Sequence, residues 1–402
     1  MLLSAASCLP GLLLAAETAR DYDLAYQATF QPDTGCAQAR ITVRQESSRL
    51  RLLDFNAPSS RYSEFSGDGE ITRQGRRVLW QVPAEGGEIR YRVRVKSQRS
   101  GDPDARMTAD WAVARLDDLF PPARSRSRRG TSSRASLTLA GPEGWSFETP
   151  YGPVDGTVDF DTAGRRLDRP LGWLAAGDLG IRRSTIAGRR VAIAGPRDQG
   201  FRRMDLLAFL HWTLPELVAI APSLPRRVLI VGAGRDMWRG GLSGPGSLYL
   251  HPDRPLLSGN ATSPVLHELM HVAMTQPPAD GDDWIVEGVA EYYGLVILLR
   301  SGGISGDRFE RALDWHRDWA QQENGRLAHP STGPDTARAV LLFRDLQLEL
   351  AAAGECLDPV VAELLQGSIS RERLAGLLEA RLGRPSAVLS RVLESGEVPQ
   401  RR

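Results

Sequence analysis

The chain has 402 residues, a formal net charge of +1, 42% hydrophobic residues and 25% charged residues. That composition excludes a disordered chain and allows two or three globular domains. The near-zero charge excludes a field strong enough to draw the whole molecule onto nucleic acid or an anionic membrane.

Residues 1–16 carry no charged side chain and end in LLLAA. They resemble the apolar part of a secretory signal, cleaved near Ala15 to Glu17, although a basic start is missing. Read so, the chain is exported to the periplasm or beyond; without that leader it is cytoplasmic. The run is too short to span a bilayer, and no later segment is long and apolar enough for a transmembrane helix. Cys8 falls in the leader. Cys36 and Cys356 are then one bridge between distant parts of the chain, or two free thiols. No C-x-x-C pair occurs, which argues against a thiolate zinc ribbon.

Residues 20–195 read as an all-β domain, a sandwich in outline. ARITVRQ, RRVLWQV, YRVRVKS, ASLTLAG, GTVDFD and RRVAIAG alternate apolar and polar residues, with turn residues between them. ARSRSRRGTSSR (Ala123 to Arg134) is dense in like charge and has no interleaved aromatic residues, so it reads as a solvated loop. The pattern becomes mostly helical over 200–395. MDLLAFLHWTLPELVAIAP has helical spacing, with Pro215 expected to bend or break it. RRVLIVGAG (Arg226 to Gly234) reads as a buried strand. Its G-x-G opens no helix, which discounts a dinucleotide site. GGLSGPG reads as a loop before a second strand, GSLYLHP. After Asn260 helices are expected at 263–276, 282–300, 307–323, 336–353, 358–367, 370–382 and 386–395. The fold class is therefore β followed by α+β.

TSPVLHELMHVAM contains H-E-x-x-H. Ser263 suits the N-cap and Pro264 the first helical position. Residues four apart share a helix face, so His267 and His271 can aim two imidazoles at one ion. Glu268 lies beside them without ligating, where a base for an activated water belongs. Asp282 and Asp283 open the next helix, DDWIVEGVAEYYG. Glu287 and Glu291 share a face there, and Gly288 lets a neighbouring helix come close. If the two helices pack, Glu287 completes a two-His, one-Glu zinc site, and Glu291 orients a ligating histidine. One Zn2+ per chain follows. The bland alternative is buried histidines and two solvated glutamates. The apolar residues flanking the glutamates weigh against it, since three nearby carboxylates repel without a cation.

HELMH followed by WIVEGVAEYYG resembles the gluzincin metallopeptidases, most closely the glycyl aminopeptidase family, without its PDZ domain. The resemblance implies an N-terminal β-domain, a thermolysin-like zinc peptidase domain with a helical end, and a peptide or protein substrate. It matches His267, His271 and Glu287 to zinc ligands, Glu268 to the base and Glu291 to the supporting acid. The GSLYL strand resembles the edge strand that pairs with substrate backbone. The family's oxyanion tyrosine is missing, because Asp335 stands where it is expected. His329, Tyr292, Tyr293 and Arg338 are candidate replacements, while His211 and His316 read as ordinary histidines. Three functions follow in order: a zinc peptidase, a catalytically weak or inactive zinc- or peptide-binding protein, and an envelope interaction protein acting through its β-domain. The stretch GGLSGPG offers no acid to hold a free amine, and Asp236 is the nearest candidate, so aminopeptidase and endopeptidase stay unseparated. Oligomeric state is not encoded in any motif.

Overall fold

The computed structural model describes residues 22–395, apart from 100, 162–166, 235, 322–326, 328 and 329. The leader over 1–16, with Cys8, and His329 therefore lie outside the described residues.

The first part is built of three sheets. In one, Tyr22–Gln31 pairs parallel with Ser133–Ala140 and antiparallel with Cys36–Gln45, and Gly86–Arg94 and Tyr62–Gly67 follow. Strict alternation buries Tyr22, Leu24, Tyr26, Ala28 and Phe30 on one face of the first strand. A second sheet centres on Trp173–Gly177 and Trp111–Arg115, and a third on Leu50–Asn56 and Arg77–Gln81. Cys36 and Cys356 are separate free thiols.

A five-stranded sheet follows, ordered Leu179–Ile186, Arg189–Pro196, Arg227–Val231, Ser247–Leu250, Gly241–Gly244. Alternation stacks the layers. Leu174 and Ala176 enter the N-terminal core, while Trp173 and Ala175 meet Ala192, Leu229 and Tyr249 of the five-stranded sheet. The opposite face of that sheet, Val191, Ile193, Ile230 and Leu248, packs on helices. Burial on both faces explains why RVLIV is a continuous apolar run.

Among the described residues the helices are α1 (Leu116–Leu119), α2 (Arg203–Ile220), α3 (Pro264–Val272), α4 (Asp283–Arg300), α5 (Gly306–Ala320), α6 (Pro334–Ala352), α7 (Leu357–Leu365), α8 (Arg371–Leu382) and α9 (Ala387–Ser395). No described helix is long and apolar enough to cross a membrane.

Four local expectations change. RRVAIAG does not stay with the N-terminal strands, since Arg189–Pro196 pairs in parallel with Arg227–Val231 and joins the five-stranded sheet. Ala123–Ser127 is a short edge strand on Leu50–Asn56 rather than loop; Arg124 and Arg126 point to solvent, a usual defence of an open edge. Pro215 does not end α2. Buried Leu206, Phe209, Leu210, Leu214, Leu217 and Ile220 hold both halves of the helix, which outweighs roughly 3 kcal/mol for an interior proline. Finally, GSLYL is an inner strand. The edge is Gly241–Gly244, which folds back on Ser247–Leu250 through the turn Pro245–Gly246, with Gly246 at φ +62°. Glycines hid this strand from any alternation test.

Candidate metal centre

Ser263 caps α3: its side chain accepts the Leu266 N–H at 3.4 Å, and Pro264 opens the helix. Val265, Leu266, Leu269 and Met270 bury the helix in the core, which leaves His267, Glu268 and His271 half-buried. Helix α4 lies beside it. Asp282 before α4 accepts the main-chain N–H and the Nε of Arg371 at 2.9 and 2.7 Å, rather than capping its own helix. Asp283 Oδ2 accepts the Ser331 N–H at 2.6 Å. Gly288 does receive a neighbouring helix, but it is α6: a Cβ there would stand 2.6 Å from Ala339 Cβ.

These placements bring His267, His271 and Glu287 together. Their ligand atoms lie within 4.8 Å of one another. His271 Nε2 is 3.1 Å from His267 Nε2, which is 3.3 Å from Glu287 Oε2; His271 Nε2 is 3.5 Å from Glu287 Oε1. Tetrahedral ligands at the usual zinc bond lengths are roughly 3.3 Å apart, so the set fits that ion. Glu291 Oε2 is 3.0 Å from His267 Nδ1. With the proton on Nδ1, His267 presents a lone pair at Nε2. The two ring nitrogens facing each other over a carboxylate are satisfied by a cation between them or by a proton on His271 Nε2.

The electrostatics agree. Burial opposes charge on His267, but Glu287 and Glu291 outweigh it and raise its pKa from 6.5 to about 10. Burial likewise pushes Glu287 and Glu291 up, and the histidines outweigh that and hold both below the ordinary carboxylate range. The pocket draws one positive charge to itself, whether proton or ion. Glu268 lies against the edge strand: a Cβ at Gly241 would stand 2.9 Å from its Cγ.

Of the described oxyanion candidates, Tyr293 and Arg338 are held by other partners. Tyr293 donates its hydroxyl to Asp358 Oδ1 at 3.1 Å, and Tyr292 is buried, with burial raising its pKa to about 12 and Arg344 opposing. Arg338 is bound to Asp335 Oδ1 at 2.7 Å and the Ala320 carbonyl at 2.5 Å. Asp335 thus serves an arginine inside α6. His316 is a core histidine, 1% exposed; among the described residues neither ring nitrogen has a hydrogen-bond partner, burial lowers its pKa, and Glu291 opposes that shift. His211 Nε2 lies 3.2 Å from the exposed Ser184 hydroxyl.

Residues 264–339 match the family model of the M61 glycyl aminopeptidases. That span runs from α3 to the start of α6 and contains His267, Glu268, His271, Glu287 and Glu291. The whole chain shares its fold with several solved structures. An aminopeptidase N family protein from Idiomarina loihiensis is 15% identical, with a TM-score of 0.70 over 94% of this chain and 76% of that one. An M1 zinc metallopeptidase from Deinococcus radiodurans is 16% identical, with a TM-score of 0.59 over 95% of each. Leukotriene A4 hydrolase from Saccharomyces cerevisiae is 14% identical, with a TM-score of 0.54 over 95% of this chain and 69% of that one. No curated protein sequence matches the chain. The matches bear out the gluzincin resemblance read from HELMH and WIVEGVAEYYG, and they support a zinc metallopeptidase.

Proposed function

We propose that the chain is a zinc-dependent peptidase whose catalytic part, residues 200–395, works as a thermolysin-like gluzincin with one ion per chain. The observation that carries this reading is the convergence of His267 Nε2, His271 Nε2 and a Glu287 carboxylate oxygen at zinc-ligand spacing. A zinc ion held there supplies a Lewis acid and lowers the pKa of water. Glu291 fixes the tautomer and orientation of His267. Glu268, next in sequence to His267 and packed on Gly241, takes the proton from the attacking water and passes it to the leaving amine. The edge strand Gly241–Gly244 offers its free edge to an extended peptide backbone.

Glu268→Gln tests the base. It should keep the zinc and lose about a hundredfold to ten-thousandfold in kcat on a peptide substrate. Full chelator-sensitive activity in that variant would end the assignment.

A second reading has its own observation. The expected tyrosine is replaced by Asp335, which pairs with Arg338. One missing oxyanion donor costs a few kcal/mol of transition-state stabilisation, so the scaffold can hold zinc and peptide while cutting slowly or not at all. Turnover of any peptide by the zinc-loaded protein, abolished by chelator, removes the inactive version.

A further inference from the structure

The strand Gly241–Gly244 has Ser247–Leu250 on one side and no strand on the other among the described residues. Its first residue touches the catalytic base at Glu268. At its last residue, a Cβ on Gly244 would stand 3.4 Å from Trp173 Cδ1 and 3.7 Å from Arg115 Nη2. Three residue steps separate these points, roughly 10 Å of extended chain. The strand therefore runs from the base to an arginine.

Arg115 is unlike Arg106 and Arg338. Arg106 is bound to Asp236 at 2.8 Å, and Arg338 to Asp335 at 2.7 Å. The Arg115 side chain makes no hydrogen bond among the described residues. Its nearest carboxylate, Asp117, is 3.6 Å from its Nε and already accepts the Gly172 N–H at 2.8 Å. The guanidinium lies over the Trp173 ring, 5.3 Å from its centroid, and is 31% exposed. The indole holds the cation in place by its face. A fork so ordered loses little freedom when it takes a partner.

We propose that Arg115 is a specificity-determining residue whose fork binds a carboxylate of the substrate about three residues from the scissile bond. The inference rests on the peptidase reading above. A peptide added to the free edge keeps step with it residue for residue. A carboxylate at the Gly244 end then meets unengaged N–H donors, whereas a lysine side chain or a free amine meets a like charge. Asp236, just before the strand, has its charge matched by Arg106. The carboxylate is either an Asp or Glu side chain or the chain's own C-terminus, and the donors read both alike.

The test uses the zinc-loaded protein and a set of matched fluorogenic peptides. Glu, Gln and Lys are scanned through the positions flanking the cleaved bond, with C-termini free or amidated. At one position about three residues away, Glu should exceed Gln by about tenfold in kcat/KM. Loss of the effect on amidation assigns it to the terminus; persistence assigns it to the side chain. In Arg115→Gln the Glu-to-Gln ratio should fall to about one, Arg115→Lys should restore part of it, and Arg115→Glu should favour Lys. A structural role would lower Glu and Gln peptides together and leave the ratio intact, which overturns the proposal. Zinc-dependent cleavage of neutral peptides with no charge preference overturns it and spares the peptidase reading. No zinc-dependent cleavage of any peptide overturns both.

Discussion

The two walls of the candidate site, α3 with α4 and the strand Gly241–Gly244, are built on opposite principles. On the helical wall, α3 and α4 carry His267, His271, Glu287 and Glu291, and each side chain has a partner in the set. On the strand wall, Gly241–Gly244 has glycine at both ends and acts there through backbone and close approach. The helical wall is specified by rare residues, and the strand wall by the absence of atoms. Damage to the first should be felt in metal binding, and damage to the second in turnover with the metal still bound.

The largest expected effect tests the helical wall. Glu287→Ala should take zinc from about one ion per chain to near none, read by elemental analysis after dialysis. Retention of zinc at wild-type level would remove Glu287 from the ligand set. Glu291→Gln should keep the ion but weaken it by about tenfold to a hundredfold, measured by competition with a chromogenic chelator. Gly288→Ala should cost about 1–3 kcal/mol of stability, because the added methyl meets Ala339 and Phe343 of α6 in a packed core. Denaturant unfolding of the chelated protein reads this without the ion. The smallest effect tests the strand wall: Gly241→Ala should lower kcat on the order of tenfold, since a methyl there displaces the Glu268 carboxylate. Zinc content should be unchanged. A Gly241→Ala protein that loses its zinc would erase the division between the walls.

The same contrast explains what could be read from the sequence. H-E-x-x-H and the Glu pair on the next helix are visible because metal chemistry needs those residue types at helical spacing. The cap Ser263–Pro264 and the helix order after Asn260 were legible for a similar local reason. The edge strand was not, because glycines carry no alternation. The transfer of Arg189–Pro196 to the five-stranded sheet was hidden too, since pairing partners far apart in sequence leave no local mark. Gly288 was noticed, but its neighbour was not: whether α3 or α6 fills the notch is a matter of tertiary packing. The partners that hold Tyr293 and Arg338 were equally out of reach, as Asp358 and the Ala320 carbonyl lie far from them in sequence.

Asp282, 2% exposed, is tied by two carboxylate oxygens to the first residue of α8. It sits one residue before the helix that presents Glu287. The C-terminal helices are thereby fastened to the start of the helix that carries Glu287. A nick in the loop ahead of Arg371 should loosen that start and pull Glu287 from its place beside His267 and His271 before the rest of the fold gives way.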